Sequence, residues 1–187
     1  LEVTEYTKSE NQFYPTPEPL VRKMLSGIDF SYVQTILEPS AGKGDILRVI
    51  AETEKIRDCS FDVDCVEIDE YLRQILKFNF GERKETLKQE MKNILGKYGD
   101  YTERYNKGWC YYSESAREYV PIPANDSQKV KAIEAEQNTF FKKGIHIVHD
   151  DFMTYEPYKE YDLIIMNPPF ETADRHLLKA LDIQKKG

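Results

Sequence analysis

The sequence predicts an α/β fold in which a parallel, doubly wound sheet carries helices on both faces. Short apolar segments alternate with helical segments, and strands separated by helices imply right-handed crossovers and a parallel sheet. The run from Leu163 to Met166 is continuously apolar, as expected of a strand buried on both faces. A chain of 187 residues is long enough for one such domain with a sizeable core.

Four strands and three helices make up this predicted domain. The strands are expected at residues 33–37, 61–66, 145–148 and 161–166. The helices are expected at residues 45–54, 70–80 and 173–184. The last helix carries Leu177, Leu178 and Leu181 on one stripe. Complete doubly wound domains usually continue further, so either the sheet is small or the domain is incomplete at its C-terminal end.

A long segment separates the second and third predicted strands. Residues 83–142 far exceed an ordinary connection between a helix and a strand. They contain helical patterns at residues 86–98 and 128–141, with aromatic stretches between them. We predict a structured, largely helical insertion that serves dimerisation or contact with a partner protein. Its rings Trp109, Tyr111 and Tyr112 are expected to pack within the insertion rather than to stack on bases.

Composition and charge exclude several classes of protein. No apolar stretch approaches the ~20 residues of a membrane span, and the N-terminus lacks the basic and apolar regions of a signal peptide. Cys59, Cys65 and Cys110 form no metal-spaced pair. We therefore expect a cytoplasmic protein with reduced thiols and no membrane contact. The net charge of −7 argues against strong nucleic-acid binding by this chain alone.

The first predicted strand ends in a glycine-rich turn that starts with an acid. The turn runs from Glu38 to Gly44, and its small residues let the backbone approach a ligand closely. A dinucleotide site would need a third glycine where Leu47 stands, and the Glu38 carboxylate would repel phosphates. Glu38 would instead attract an ammonium group. An ordinary turn between a strand and a helix is the competing interpretation.

The next two predicted strands also end in carboxylates. Glu67 is placed to accept from both hydroxyls of a ribose, and Ile68 offers an apolar face for an adenine. Asp69 is expected to cap the following helix. After the third strand, Asp151 offers an acceptor for an exocyclic amine and Phe152 an aromatic wall. Any one acid could be a helix cap or a solvated charge, but ligands bind at the carboxyl ends of strands in open α/β sheets.

The fourth predicted strand ends in Asn167-Pro168-Pro169-Phe170. Neither proline can donate to a ladder, so the pair ends the strand and stiffens the backbone. The Asn167 amide and the Pro168 carbonyl are then acceptors beside the Phe170 ring. Such a tip suits a flat ring with an amino group, although a proline-terminated strand before a helix cap is common. On the next helix, His176 is expected to pack or to lie at the surface.

Taken together, these motifs resemble those of the amino-methyltransferases. They are most similar to the N6-adenine DNA methyltransferases whose cofactor motifs precede the catalytic motif. The matching segments are residues 13–17 (Phe-Tyr-Pro-Thr-Pro), 38–44, 66–69, 151–152 and 167–170. The resemblance implies a Rossmann-like class I methyltransferase sheet of at least four parallel strands, with the insertion outside the match.

The resemblance implies a role for each matching residue. It assigns to the cofactor S-adenosyl-L-methionine the residues Tyr14, Thr16, Pro17, Glu38, Pro39, Ala41, Gly42, Gly44, Glu67, Ile68, Asp151 and Phe152. Those before residue 18 would cover the methionine end of the cofactor, and Glu38 would pair with its amino group. Glu67 would hold the ribose, and Asp151 and Phe152 would bind the adenine.

The same resemblance assigns catalysis to Asn167, Pro168, Pro169 and Phe170. An aromatic amine is a poor nucleophile because its lone pair is delocalised into the ring. Two fixed acceptors, the Asn167 amide and the Pro168 carbonyl, would favour the pyramidal amine that attacks a methyl sulfonium. Phe170 would stack on the flipped base. The sequence thus predicts methyl transfer to the N6 amine of adenine in a DNA substrate, without a metal.

Other functions stay open at this point. The acceptor could be an adenine in RNA or a glutamine amide in a protein. The glutamine enzymes usually open the glycine-rich loop with Asp and have tyrosine in place of Phe170. A non-catalytic module that binds the cofactor or a partner protein is a third interpretation, which the acidic charge and the missing later strands favour.

Overall fold

The described part of the computed structural model is residues 14–184, so Phe13 of the N-terminal motif lies outside the described residues. The α-helices of this part are α1 (Glu18–Leu25), α2 (Asp45–Ile56), α3 (Glu70–Lys77), α4 (Arg83–Leu95), α5 (Ala124–Gln137) and α6 (Ala173–Ile183). The strands are β1 (Thr35–Glu38), β2 (Asp62–Val66), β3 (Tyr101–Arg104), β4 (Gly108–Ser113), β5 (Glu118–Pro121), β6 (Ile145–His149) and β7 (Leu163–Ile164). Short 3-10 turns span Phe30–Tyr32, Gly96–Tyr98 and Phe170–Thr172, and a π-helical turn over Phe78–Glu82 follows α3.

Strands β1, β2, β6 and β7 form one parallel sheet in the order β6-β2-β1-β7. In its centre Ile36 of β1 lies between Val63 of β2 and Leu163 of β7. Helices α2 and α3 precede and follow β2 along the chain, as the alternation of strands and helices predicted. The α/β, Rossmann-like fold predicted from the sequence is confirmed.

Strand β7 is shorter and less buried than its apolar sequence predicted. Only Leu163 and Ile164 are in the strand, and both are half-buried. The reason is the position of β7, which lies at the edge of the sheet in the described residues and has a neighbour on one side. One further backbone bond, from the Ile165 amide to the Leu37 carbonyl (3.0 Å), extends the pairing towards Asn167.

In the unit with the parallel sheet, buried apolar residues form a cluster on each face of the sheet. Ile36 belongs to the larger cluster, with Val63 and the side chains of α1 and α2. Its neighbour Leu37 belongs to the second cluster, with Val66 and Tyr161. Successive side chains of a strand point to opposite faces of the sheet, so β1 contributes to both.

A buried polar network holds the segment that leads into β7. The Tyr161 hydroxyl donates to Asp64 Oδ2 on β2 at 2.6 Å, and the hydroxyls of Tyr155 and Tyr161 lie 2.6 Å apart. The Lys159 ammonium lies 3.1 Å from the same Asp64 oxygen. Asp64 is fully buried, so these partners stabilise a charge that would otherwise be costly. The network therefore fixes the position of the residues before β7, and with them the position of Asn167, which follows this strand.

Helix α6 covers the predicted range but buries a different face. His176 and Ala180 are its buried residues. Leu177, Leu178 and Leu181, the apolar stripe of the sequence, are 55%, 64% and 61% exposed. The helix therefore exposes its apolar stripe to solvent, and the polar residue His176 lies on its buried face.

Contacts divide the chain into two compact units, one formed by residues up to Gly81 and from Phe140 onward, the other by Glu82–Thr139. The second unit contains the two helices predicted for the insertion. It also contains an antiparallel sheet in the order β3-β4-β5, which the sequence did not predict. Trp109 and Tyr111 pack on the core of this unit, as predicted, and Trp109 Nε1 donates to Glu134 at 2.6 Å.

Several properties bear on the classes considered from the sequence. Within residues 14–184, no helix is long and apolar enough to cross a membrane. The same residues contain no group of three or more His, Cys, Asp or Glu side chains arranged to hold a metal ion. Cys59, Cys65 and Cys110 carry free thiols.

Candidate functional site

The carboxyl ends of β1, β2, β6 and β7 open onto one cavity of about 380 Å³. This volume falls within the range of small-molecule sites in proteins. The residues that line the cavity are Tyr14, Thr16, Glu38, Pro39, Ser40, Ala41, Gly42, Asp45, Ile46, Glu67, Ile68, Asp69, Leu72, Asp150, Asp151, Phe152, Met153, Asn167, Pro168, Pro169, Phe170, Glu171, Thr172 and His176. The four strand ends therefore converge as the sequence predicted.

Two residues of the predicted site lie outside the lining of this cavity. Pro17 precedes α1 and is its N-terminal flanking residue. Gly44 precedes α2, has φ +92° and lies under the ring of Phe80. Both therefore shape the ends of helices next to the cavity. Every other residue of the predicted catalytic and cofactor sets is in the lining.

The glycine-rich turn folds back over the end of β2. The Ala41 amide donates to the Val66 carbonyl at 3.0 Å, and the Gly44 amide donates to the Ala41 carbonyl at 2.8 Å. Gly42 has φ +57°, a left-handed conformation that costs glycine little. The turn thus brings the backbone of residues 41–42 to the cavity wall, beside the side chain of Glu67.

Glu38, at the end of β1, is a buried acid with an unused oxygen. Its side chain is 1% exposed, and Oε2 has no hydrogen-bond partner among residues 14–184. Burial, and then the charges of Asp45 and Glu67, raise the pKa of Glu38 well above its ordinary value. A buried acceptor without a partner is destabilising. A cationic donor in the cavity would supply that partner and favour the carboxylate.

Glu67, at the end of β2, joins two turns. Its Oε2 accepts from the Gly42 amide at 2.6 Å, and its Oε1 accepts from the Asp69 amide at 2.8 Å. Burial raises the pKa of Glu67 although both backbone bonds oppose the shift. Each oxygen keeps a second lone pair that a ligand hydroxyl can use. Asp69 caps α3 by accepting from the amides of Tyr71 and Leu72, which confirms the predicted cap.

The end of β6 supplies a carboxylate in a tight turn. Asp151 Oδ1 accepts from the Met153 amide at 2.8 Å, which holds the carboxylate at the cavity. Phe152 is only 2% exposed and belongs to the second core cluster, with its ring 5.6 Å from that of His176. The Phe152 ring therefore belongs to the hydrophobic core and also lines the cavity.

The orientation of the Asn167 side chain is determined by its partners. Nδ2 donates to Thr16 Oγ1 at 3.0 Å and to the Tyr14 carbonyl at 3.3 Å. A backbone carbonyl can only accept, so the group that faces it must be the nitrogen. The amide oxygen Oδ1 is then left to accept from a ligand in the cavity that Asn167 lines.

Two aromatic rings of the cavity lining are open to solvent. Phe170 is 70% exposed and Tyr14 is 54% exposed. Their ring centroids lie 5.1 Å apart with the planes tilted by 59°. An exposed ring next to a cavity provides a surface on which a flat ligand can stack.

Ser40, Asp45 and His176 are among the polar lining residues that were not predicted as site residues. Ser40 Oγ is buried without a partner among the described residues, and burial raises the pKa of Asp45. Both adjoin the glycine-rich turn, which could have indicated them. His176 is buried, packs on Phe152 and also lines the cavity. No sequence signal shows which face of α6 meets the cavity, so His176 could not be found that way.

The fold is α/β, with a cavity of small-molecule size at the carboxyl ends of its parallel strands. Its sequence matches no family model and none of the curated proteins searched. Its structure is similar to that of the rRNA methyltransferase AviRa from Streptomyces viridochromogenes, with a TM-score of 0.49 and 14% sequence identity. The similarity covers 92% of this chain and 72% of AviRa. At this identity, the chemistry of this chain has to be inferred from its own residues.

Proposed function

We propose that this chain binds S-adenosyl-L-methionine and transfers the methyl group to an exocyclic amine, the N6 amine of adenine in DNA. One observation carries the proposal. A single cavity combines the buried side chain of Glu38, whose Oε2 has no partner among residues 14–184, with an amide oxygen presented as an acceptor, that of Asn167. The first suits the ammonium group of an amino acid, and the second suits an amine that is to be methylated.

The residues of the cavity fit the proposed cofactor. Glu38 would pair with the ammonium group, and Glu67 would accept from the ribose hydroxyls with its remaining lone pairs. Ile68, which is 56% exposed, provides an apolar surface for the adenine, and the Asp151 carboxylate an acceptor for its amine. When bound, S-adenosyl-L-methionine supplies a methyl group on a positively charged sulfur.

The residues after β7 would prepare the target amine. Asn167 Oδ1 and the Pro168 carbonyl would accept its two hydrogens, which favours a pyramidal nitrogen with a localised lone pair. The exposed ring of Phe170 would stack on the base once it has left the duplex. This chemistry needs position and electrostatics, with no covalent intermediate. The choice of adenine in DNA rests on the motif resemblance of the sequence.

Cofactor binding and methyl transfer can be tested separately. Isothermal titration of the chain with S-adenosyl-L-methionine should show binding to one site, and its absence would overturn the proposal. Transfer of tritiated methyl groups should then be measured onto adenine-containing DNA, RNA and a glutamine-containing protein in parallel. Label on DNA supports the proposal, and label only on RNA or protein would replace its acceptor. Cofactor binding without transfer to any of the three would favour a non-catalytic module.

Variants of the strand end make this test specific. Asn167→Ala and Phe170→Ala should reduce methyl transfer by about tenfold or more, since each removes an interaction with the target. Both should retain the cofactor. Tyr32→Ala is the matched control, because Tyr32 is an aromatic residue of the same unit that is 81% exposed and lies outside the cavity lining. Unchanged transfer in both cavity variants would contradict the assigned roles.

A further inference from the structure

We infer that Thr16 is a positioning residue that orients the Asn167 amide towards the target amine and links target binding to the segment proposed to cover the cofactor. The inference rests on the proposed function and goes beyond it in one respect. Thr16 was assigned to the cofactor, whereas its hydroxyl contacts the residue proposed to bind the target. The chemical consequence is a site that presents an acceptor and therefore selects an N–H donor.

Two hydrogen bonds hold the Asn167 amide in this orientation: the Tyr14 carbonyl, which can only accept, selects the nitrogen, and the shorter bond to the Thr16 hydroxyl holds it there. Thr16 Oγ1 and the Tyr14 carbonyl both accept from Asn167 Nδ2, at 3.0 and 3.3 Å. Rotating the amide by 180° would bring Oδ1 against the carbonyl, where two acceptors repel each other. Thr16 is buried, with 8% of its surface exposed, so water competes little for its hydroxyl. Losing the hydroxyl would leave the longer of the two bonds as the remaining anchor.

The two segments that meet here are both stiffened by proline. Thr16 stands between Pro15 and Pro17, and Asn167 is followed by Pro168 and Pro169. Proline restricts its own φ and the conformation of the residue before it. The hydrogen bond therefore joins two backbones that have few other conformations. The position of the Asn167 side chain therefore depends on the packing of two segments that lie 151 residues apart in the sequence.

A second contact joins the same two segments. The rings of Tyr14 and Phe170 lie 5.1 Å apart. Tyr14 precedes Thr16 in the sequence, and Phe170 follows Asn167. Any ligand that orders the residues from Tyr14 to Pro17 would thereby also order Asn167 and Phe170. Coupling between two sites is reciprocal, so a bound target would in turn strengthen cofactor binding.

Two substitutions of Thr16 separate positioning from packing. Thr16→Val keeps the shape of the side chain and removes the hydroxyl, whereas Thr16→Ser keeps the hydroxyl. In ¹⁵N-labelled protein, the side-chain amide protons of Asn167 can be assigned by their loss in Asn167→Asp. We expect slow exchange with solvent in the wild type and in Thr16→Ser, and fast exchange in Thr16→Val. Slow exchange in Thr16→Val would overturn the inference.

Methyl transfer gives the functional readout. At saturating cofactor, Thr16→Val should lower kcat by about fivefold, the equivalent of one neutral hydrogen bond, and Thr16→Ser should recover most of that loss. Equal rates in the two variants would overturn the positioning role even if exchange differs. If the wild-type chain methylates none of the substrates, the proposed function fails by that result. The exchange measurement then decides by itself whether Thr16 orients Asn167.

Discussion

The ring of Phe80 occupies the space where a side chain at Gly44 would begin. A Cβ built on Gly44 would lie 2.3 Å from Phe80 Cε2, closer than such atoms approach in proteins. Gly44 also has φ +92°, a conformation that other residues rarely adopt. This contact sets the distance between the start of α2 and the residues after α3. Gly44 is also the last residue of the glycine-rich turn, which lies directly before α2.

Gly44→Ala is therefore expected to destabilise the protein by about 1–3 kcal/mol, the usual range for overpacking a core. Urea unfolding followed by circular dichroism would measure the change. Gly27→Ala is the control, since its Cβ would meet nothing within 4 Å and its φ is not positive. Equal stability of the two variants would show that Phe80 and the turn can adjust at no cost.

The buried acid Glu38 should make both stability and cofactor affinity depend on pH. Its pKa in the folded protein is raised, chiefly by burial. Above the ordinary pKa of glutamate, the unfolded chain releases this proton while the folded chain retains it, so folding stability falls as the pH rises towards the folded pKa. Glu38→Gln should therefore be more stable than the wild type at neutral pH, with the difference shrinking as the pH falls towards 4. Urea unfolding between pH 4 and 8 tests this.

The same substitution should weaken S-adenosyl-L-methionine binding by about 10- to 100-fold, the worth of a hydrogen bond to a charged group. The wild type should bind more tightly as the pH rises and should release a proton on binding, because the ammonium group favours the carboxylate. Titration calorimetry in two buffers of different ionisation enthalpy detects that proton. Glu52→Gln, a surface acid paired with Arg22, should change neither property. A buffer-independent heat would contradict the role of Glu38.

The hydroxyl of Tyr161 should matter more for stability than that of Tyr158, although both donate to Asp64. Tyr161 is fully buried, and the pKa of its hydroxyl is raised by burial and by Asp64. Tyr161→Phe should cost about 1–3 kcal/mol, since it leaves a buried carboxylate short of a donor. Tyr158 is 69% exposed, so water can replace its hydroxyl in Tyr158→Phe. Chemical denaturation compares the two variants, and equal losses would contradict this account.

The effect on stability of deleting the insertion should depend strongly on the residues at which the deletion begins and ends. Phe141 is 1% exposed and packs in the larger core cluster, with its ring 6.1 Å from Phe80, and the Lys142 amide donates to Glu54 at 2.7 Å. Replacing residues 82–139 by a short glycine linker should therefore preserve cooperative unfolding and cofactor affinity. Replacing residues 83–142, the range predicted from the sequence, should cost about 3–5 kcal/mol more, because a core aromatic is lost. Thermal unfolding and calorimetry distinguish the two, and equal behaviour would argue against the boundary at residue 139.

Elements whose sequence signal is local were predicted well. Strand β2 and helices α2, α3 and α6 begin within one residue of the expected positions, because apolar spacing and capping residues such as Asp69 mark them. The antiparallel sheet of the second unit was missed. Its strands carry aromatic residues on both faces. Its first turn has the typical turn residues Asn106 and Gly108 at positive φ, whereas its second turn has positive φ at Arg117, a residue that rarely adopts it.

For the candidate site, too, some properties could be predicted from the sequence and others could not. The sequence by itself determined which chemical groups stand at the four strand ends, since the prolines, glycines and apolar runs that end a strand act on their neighbours. Only the tertiary structure decided what each group can do. Glu38 Oε2 has no partner among residues 14–184, while Glu67 is held by two backbone amides. The Asn167 amide nitrogen donates to the Thr16 hydroxyl and the Tyr14 carbonyl, which lie 151 and 153 residues away. Burial and hydrogen bonding depend on segments that meet only in the folded chain, so no local pattern contains them.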